Sequence, residues 1–359
     1  MANNTTVNRK GQTVEHHPFN FTGTGSEYFR IWIVNLLLSV LTLGIYSAWA
    51  KVRTRRYLYG HTEVAGGRFD YHGKPQRILV GRLIAIVLLL AYVLAGEFLP
   101  LVGALLAIAL LILTPIIIVR AFRFNAQMSS WRGIRFGFVG TAMDAAIAYI
   151  FFPMLGFLTL GLGLPFAWYR QAKFNIDNHR FGKTQFQIGA TAGDFYKFAF
   201  IVLGAAVVFF LLFSLLGGVA AIGAAAAGDA ASDEAAALAA GASALLLVAF
   251  SILAYATLGA LFSGLRFQAL YSDLQIGENW INNDVSLTRF VFIVVTNSVG
   301  LLLTLGFYYP WAKIRMTNFL LESLTLEATD LDGFIADREA ESSALGEELG
   351  GAFDLDIGV

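Results

Sequence analysis

Lysine and arginine are missing from five intervals of this chain: 31–50, 83–119, 136–169, 198–265 and 290–312. Nothing else restricts the fold so strongly, because about 20 consecutive apolar residues suffice to span the hydrocarbon of a bilayer. Two intervals are long enough for a pair of helices. In 83–119, Arg82 leads into LIAIVLLLAYVLAG, Glu97 and Pro100 follow, and LVGALLAIALLILTPIIIV runs on to Arg120. That reads as a tight helical hairpin with Glu97 at its tip. In 198–265, two apolar helices flank an Ala/Gly-rich stretch whose charges are Asp229, Asp233 and Glu234. Neither tip carries a positive charge, so the positive-inside bias sets both tips outside and the basic flanks in the cytoplasm.

Composition agrees with a membrane chain. Hydrophobic residues make up 57% and charged residues 14%, against roughly 25% charged in soluble domains. The zero net charge conceals a segregation: residues 321–359 hold 11 of the 25 acidic groups and one basic group, Arg338. The basic excess in the remainder fits cytoplasmic loops, and no nucleic-acid motif accompanies it, so no nucleic-acid partner is expected. The chain has no cysteine, which excludes disulfides and thiolate metal sites. The polar first 26 residues lack the apolar core of a cleavable signal peptide. His61, His72 and His179 lie on separate segments and make a weak metal site. No Gly-rich phosphate loop, nucleophile elbow or HEXXH is present. We therefore expect no enzyme, no cofactor and no metal.

The three shorter intervals carry basic residues at both ends: Arg30 and Lys51, Arg135 and Arg170, Arg289 and Lys313. A simple crossing would place one basic end outside, against the orientation bias. These intervals share a gapless repeat. Thr42-Leu43-Gly44 leads to Trp49-Ala50-Lys51, Arg53 and Tyr57. Thr159-Leu160-Gly161 leads in the same register to Phe166-Ala167, Arg170 and Phe174. Thr304-Leu305-Gly306 leads to Trp311-Ala312-Lys313, Arg315 and Phe319. Upstream, Phe19-x-Phe21-x-Gly23-Thr24 matches Phe136-x-Phe138-x-Gly140-Thr141, and similar alternation at Phe69–Gly73 and Phe186–Ile188 precedes the long pairs. Such alternation ending at glycine reads as a short half-buried strand.

The expected fold is a mainly α-helical polytopic membrane protein: four full transmembrane helices, three re-entrant or broken Thr-Leu-Gly hairpins, and short cytoplasmic β-strands. From Glu27 to Leu41 the helix would be roughly 22 Å long at about 1.5 Å per residue, short of the ~30 Å hydrocarbon. Thr-Leu-Gly then breaks it, and Pro165 and Pro310 reinforce the break in two copies. The turn backbone is expected to be buried in protein. The alternative is that all three segments cross, giving seven spans. The domain map is a flexible polar N-terminus (1–18), a membrane domain (19–330) and an acidic disordered tail (331–359). Within the membrane domain lie the repeats 27–57, 144–174 and 289–319 and the helix pairs 78–119 and 196–265. Both termini are expected in the cytoplasm.

The stretch FNFTGTGSEYFRIWIVNLLLSVLTLGIYSAWAKVRTRRYLYGHT, residues 19–62, resembles the YjgN-like bacterial inner-membrane family, the domain of unknown function numbered 898. The resemblance covers roughly residues 19–330. It implies an inner-membrane location and supplies no activity, substrate or catalytic residue.

Trp49, Lys51, Arg53, Phe166, Arg170, Trp311, Lys313 and Arg315 recur at one spacing. They read as an interfacial belt touching anionic lipid headgroups, or less simply as a ring lining an anion site. Asn35 and Asn297 sit inside apolar runs, where an amide bonds between helices. Glu27, Asp144 and Asp194 sit where a carboxylate caps a first turn. Two functional classes stay open: a structural or interaction protein, homo-oligomeric and in contact with lipid, or a channel or transporter whose path the broken hairpins line. Scarce mid-membrane charge favours the first.

Overall fold

The computed structural model describes residues 5–7, 13–228, 233–331 and 333–335. One plan repeats five times along it: a strand rises into a helical hairpin, and a second strand returns to pair with the first. The first unit is β2 (Thr13–Phe21), α1 (Gly25–Leu41), α2 (Ser47–Gly60) and β3 (Thr62–Val64). The second is β4 (Gly67–Tyr71), α3 (Pro75–Phe98), α4 (Pro100–Gln127) and β5 (Ser129–Trp131). The third is β6 (Ile134–Phe138), α5 (Ala142–Ala146), a π-helical turn (Ile147–Phe151), α6 (Phe152–Leu158), α7 (Leu164–Asp177) and β7 (His179–Phe181). The fourth is β8 (Thr184–Gln187), α8 (Ala192–Gly228), α9 (Asp233–Tyr271) and β9 (Leu274–Ile276). The fifth is β10 (Asn279–Asn283), α10 (Leu287–Leu303), α11 (Tyr309–Glu322) and β11 (Leu324–Ala328).

Two-residue turns join the units. Ala65-Gly66 and Arg132-Gly133 have positive φ at both positions, and Gly182 and Gly277 at the first. Turns of this hand match the twist of paired strands. The sheet has eleven strands, β1 (Thr5–Val7) included, and it closes on itself. Its order runs β1-β2-β11-β10-β9-β8-β7-β6-β5-β4-β3, and β3 pairs back onto β2. Closure satisfies strands of three to five residues that would be marginal in an open sheet. The helices close a matching ring, each packing beside the next, with α11 returning to α1. The three Thr-Leu-Gly hairpins and the two long pairs are thus variants of one unit around a common axis.

Helices and ring meet at the base, and there the side chains are buried. Ala145, Ala148 and Phe174 pack with Val119 of α4. Phe195 and Phe198 pack with Ala172 and Leu265. Phe290 and Ile293 pack with Ala260 and Phe319. Away from the base the long pairs emerge bare. α3 has no buried residue, and Ile86, Val87, Leu88, Leu89 and Leu90 are exposed in succession, right round the helix. Burying such side chains is worth about 1.5–3 kcal/mol each, so this surface is stable only against an apolar surrounding. Among the described residues, four helices are long and apolar enough to cross a membrane: Pro75–Phe98, Pro100–Gln127, Ala192–Gly223 and Ala237–Tyr271.

Several boundaries differ from the sequence reading. Residues 5–7 and 13–18 of the supposed flexible N-terminus form β1 and most of β2, because β11 supplies a partner strand: Pro18 pairs Thr325 and Glu15 pairs Ala328. The long pairs extend beyond 78–119 and 196–265 to Pro75–Gln127 and Ala192–Tyr271, since their polar ends stay helical down to the ring. Leu331, Phe334 and Ile335 pack into the strand core instead of opening a disordered tail. The rest of that tail, 336–359, lies outside the described residues. The helix before the second corner is interrupted by the π turn, next to Pro153, which has no N–H to donate.

Candidate functional site

The three corners share one geometry, and their backbone is satisfied from within. Leu43, Leu160 and Leu305 adopt φ of 49°, 52° and 49°; Gly44, Gly161 and Gly306 adopt 90°, 90° and 91°. Only glycine tolerates the latter value cheaply. Each glycine N–H reaches back to close the helix: Gly44 to Ser39 O at 2.7 Å, Gly161 to Gly156 O at 2.9 Å and Gly306 to Leu301 O at 2.7 Å. This is a Schellman-type end. The threonine hydroxyl serves both helices. Thr42 Oγ1 donates to Leu38 O (2.7 Å) and accepts from Tyr46 N (2.9 Å). Thr304 Oγ1 repeats this with Gly300 O and Tyr308 N, and Thr159 Oγ1 with Leu155 O and Gly163 N. Every backbone N–H from Thr42 to Ser47, from Thr159 to Leu164 and from Thr304 to Tyr309 has an acceptor within its corner.

The turn is therefore not buried in protein, contrary to the sequence expectation. It does not need to be. Leu43, Leu160 and Leu305 are 94%, 95% and 89% exposed at the tips. The corner is also low. Arg82 of α3 donates from Nη1 to Ser47 Oγ, three residues past Gly44. From Arg82, α3 continues to Phe98, roughly 24 Å at about 1.5 Å per residue. The first corner thus stops about one helical turn beyond Ser47 and some 20 Å short of the Leu99 turn.

The remaining expected residues are dispersed. Trp49 stacks on Tyr46 and Trp311 on Tyr308, both at 13° between planes, so the first and third copies repeat even their ring contacts. Phe166 meets Phe152 edge-on, and Arg170 lies over that same ring at 4.9 Å. Lys51 and Arg53 are exposed. Arg315 donates to Thr296 Oγ1 (2.8 Å) and Asn297 Oδ1 (3.2 Å). The aromatic and cationic repeats sit on three separate hairpins and do not converge on one anion site. Asn297 Nδ2 donates to Ala312 O at 3.2 Å, tying the two arms of its own hairpin. Asn35, its counterpart, is buried with neither amide atom bonded. Glu27, Asp144 and Asp194 stand at first turns beside Thr24, Thr141 and Thr191, whose groups they bond.

The axis of the strand ring was not foreseen. Each ring strand turns an apolar side chain inward, as five directly opposed pairs, and β9 and β11 add Leu274 and Leu324. The pairs are Phe19 with Val64, Phe69 with Trp131, Phe136 with Phe181, Phe186 with Ile276, and Ile281 with Leu326. The two strands of each pair flank one helical hairpin. Ring contacts run on around the inside: Phe19 to Phe69 at 6.3 Å, Phe69 to Phe136 at 6.4 Å and Phe136 to Phe186 at 6.3 Å. Together they line a chamber of about 550 Å³. Leu331 and Phe334 cover its lower end, Phe334 stacked 5.9 Å from Phe181. Its upper wall is α11, from Lys313 through Thr317 and Leu320. The visible signal was the Phe-x-Phe alternation, whose first aromatic recurs in four of the five units. Beside the ring, burial between Phe122 and Phe138 pushes the His179 imidazole pKa down, against the Asn175 carbonyl at its Nδ1.

Four long apolar helices and a base of aromatic strands define a polytopic membrane protein. The chain belongs to the family described as bacterial protein of unknown function (DUF898), whose profile matches residues 16–352. It is 35% identical over 154 residues to inner membrane protein YjgN of Escherichia coli O157:H7, covering 43% of this chain and 38% of that protein. The K12 counterpart is 36% identical over 154 residues, with the same coverage. That of Salmonella typhimurium LT2 is 34% identical over 124 residues, covering 34% and 31%. The matches thus span less than two fifths of each relative's length. No solved structure matches. With inner-membrane relatives and four apolar spans, this is a bacterial inner-membrane protein.

Proposed function

We propose that this protein is a non-enzymatic, lipid-contacting interaction protein of the inner membrane. In this reading two helix pairs anchor it across the bilayer, and three re-entrant hairpins dip into the cytoplasmic leaflet. The strand ring and both termini lie in the cytoplasm. The observation that carries this is the level of the first corner, held at Arg82 while α3 runs on for most of a bilayer thickness. Two features support it. An unsatisfied backbone group in hydrocarbon costs several kcal/mol, and the corners leave no N–H unpaired. Their tips present leucine, the side chain such a surrounding accepts.

A channel is less well supported. A path wall needs a polar or at least water-facing side, and α3 presents exposed apolar residues all round. The chain closes its own ring, so it needs no second copy to complete the centre; lateral association through the bare helix pairs fits the reading.

Single-cysteine labelling tests the topology, and the chain has no native cysteine to remove. Leu99→Cys should react with an impermeant maleimide added to intact cells, and Leu43→Cys, Leu160→Cys and Leu305→Cys should not. Reaction at any of these three from outside would overturn the re-entrant reading in favour of seven spans.

A further inference from the structure

We infer that the strand-ring chamber binds the chain of a single-tailed anionic amphiphile, a long-chain carboxylate, with Lys313 paired to its headgroup. The inference rests on the orientation proposed above, which turns the upper end of the chamber toward the cytoplasmic leaflet. Its volume of about 550 Å³ falls within the roughly 300–1,000 Å³ of small-molecule sites. Along α11 the wall is formed by Lys313, Thr317, Leu320 and Leu321, roughly 12 Å of helix at about 1.5 Å per residue, and Leu324 and Leu326 of β11 continue it into the ring. A single apolar tail can follow this wall from Lys313 into the ring of aromatic side chains. Leu331 and Phe334 line the opposite end, and in this proposal the tail enters from the Lys313 side.

Charge selects the headgroup. Among the described residues lining the chamber, Lys313 is the one lysine or arginine, and no carboxylate accompanies it. Its ammonium makes no hydrogen bond or ion pair among the described residues. A half-buried cation beside an aromatic wall lacks part of its hydration, and an anion restores the missing partner. The equivalent position in the second hairpin is Trp168, packed against Phe198 and Phe262, so the lysine is not required by the hairpin fold.

The test uses the full chain in phosphatidylcholine nanodiscs, with dibromopalmitate as a quencher of tryptophan fluorescence. Trp131 lies in the chamber wall, one of six tryptophans. Saturable quenching is expected, and Trp131→Phe should remove most of it. Lys313→Gln should weaken apparent affinity about tenfold, Lys313→Arg should keep it, and dibromohexadecanol should bind weakly to parent and Lys313→Gln alike. Quenching unchanged by Trp131→Phe would place the ligand among the annular lipids and overturn the site. Equal affinity in Lys313→Gln would overturn the headgroup contact. Competition by phosphatidylglycerol at similar concentrations would overturn the single-tailed occupant. Loss of binding with Leu43→Cys still shielded from outside refutes this site alone; labelling of Leu43→Cys with Trp131 still quenched refutes the re-entrant topology alone.

Discussion

Replacing Leu43 by asparagine separates a corner in lipid from a corner in water by the sign of its effect. Leu43 holds φ 49°, a left-handed conformation that costs a β-unbranched L-residue roughly 1–2 kcal/mol and asparagine less. At 94% exposure it has almost no protein contact to lose. In water, Leu43→Asn would therefore stabilise by up to about 1 kcal/mol through relief of strain. In hydrocarbon the leucine forfeits about 1.5–3 kcal/mol of apolar transfer. The incoming amide adds about 1–3 kcal/mol for burial without a partner. The balance is a net destabilisation of about 2–5 kcal/mol. Thermal unfolding of the full chain in nanodiscs, followed by circular dichroism, reads the difference. A melting temperature equal to or above that of the parent would refute the placement of the corner in lipid.

Other outcomes follow from single contacts. Asn297→Leu should destabilise by about 1–3 kcal/mol, because Arg315 and the Ala312 carbonyl lose a partner. Asn35→Leu should be neutral or stabilising in the same unfolding assay, since the amide it removes is buried unbonded. Phe181→Ala should cost about 3–5 kcal/mol by opening a cavity between Trp131, Phe136 and Phe334. Gly103→Val should separate α3 from α4 and lower the melting temperature, because a Cβ at Gly103 would stand 2.6 Å from Gly96 Cα. His179 is pushed toward its neutral form in the fold, so the unfolded chain takes up the proton first. Its stabilising share is present above about pH 6.5, the unfolded value, and declines as pH falls below it. The slope of melting temperature between pH 7.5 and pH 5 should flatten in His179→Gln.

The sequence disclosed the elements whose physics is local. The runs 83–119 and 198–265 lack lysine and arginine, carry acidic residues in their middle and are long enough for two spanning helices each, so both read as helix pairs. The corners were legible because glycine and threonine act on their immediate neighbours. Ring closure was not, because β2 finds its partner in β11, some three hundred residues away, and neither strand carries a local mark of the other. Trp131 and Phe181 end strands of three residues, too short for alternation to register. Leu331, Phe334 and Ile335 were hidden by the acidic composition around them, although all three pack on the strand core and the first two line the chamber. The expectation that the turn must be buried failed for an instructive reason. Its hydrogen bonds were assumed to need outside partners, and the Thr-Leu-Gly sequence supplies all of them.

The most direct measurement is a density map of the full chain in lipid nanodiscs, in which headgroup layers bracket the protein. The account requires Leu43, Leu160 and Leu305 to end inside the leaflet nearest the strand ring, with Leu99 at the opposite surface. A corner emerging beyond the far headgroup layer would contradict it.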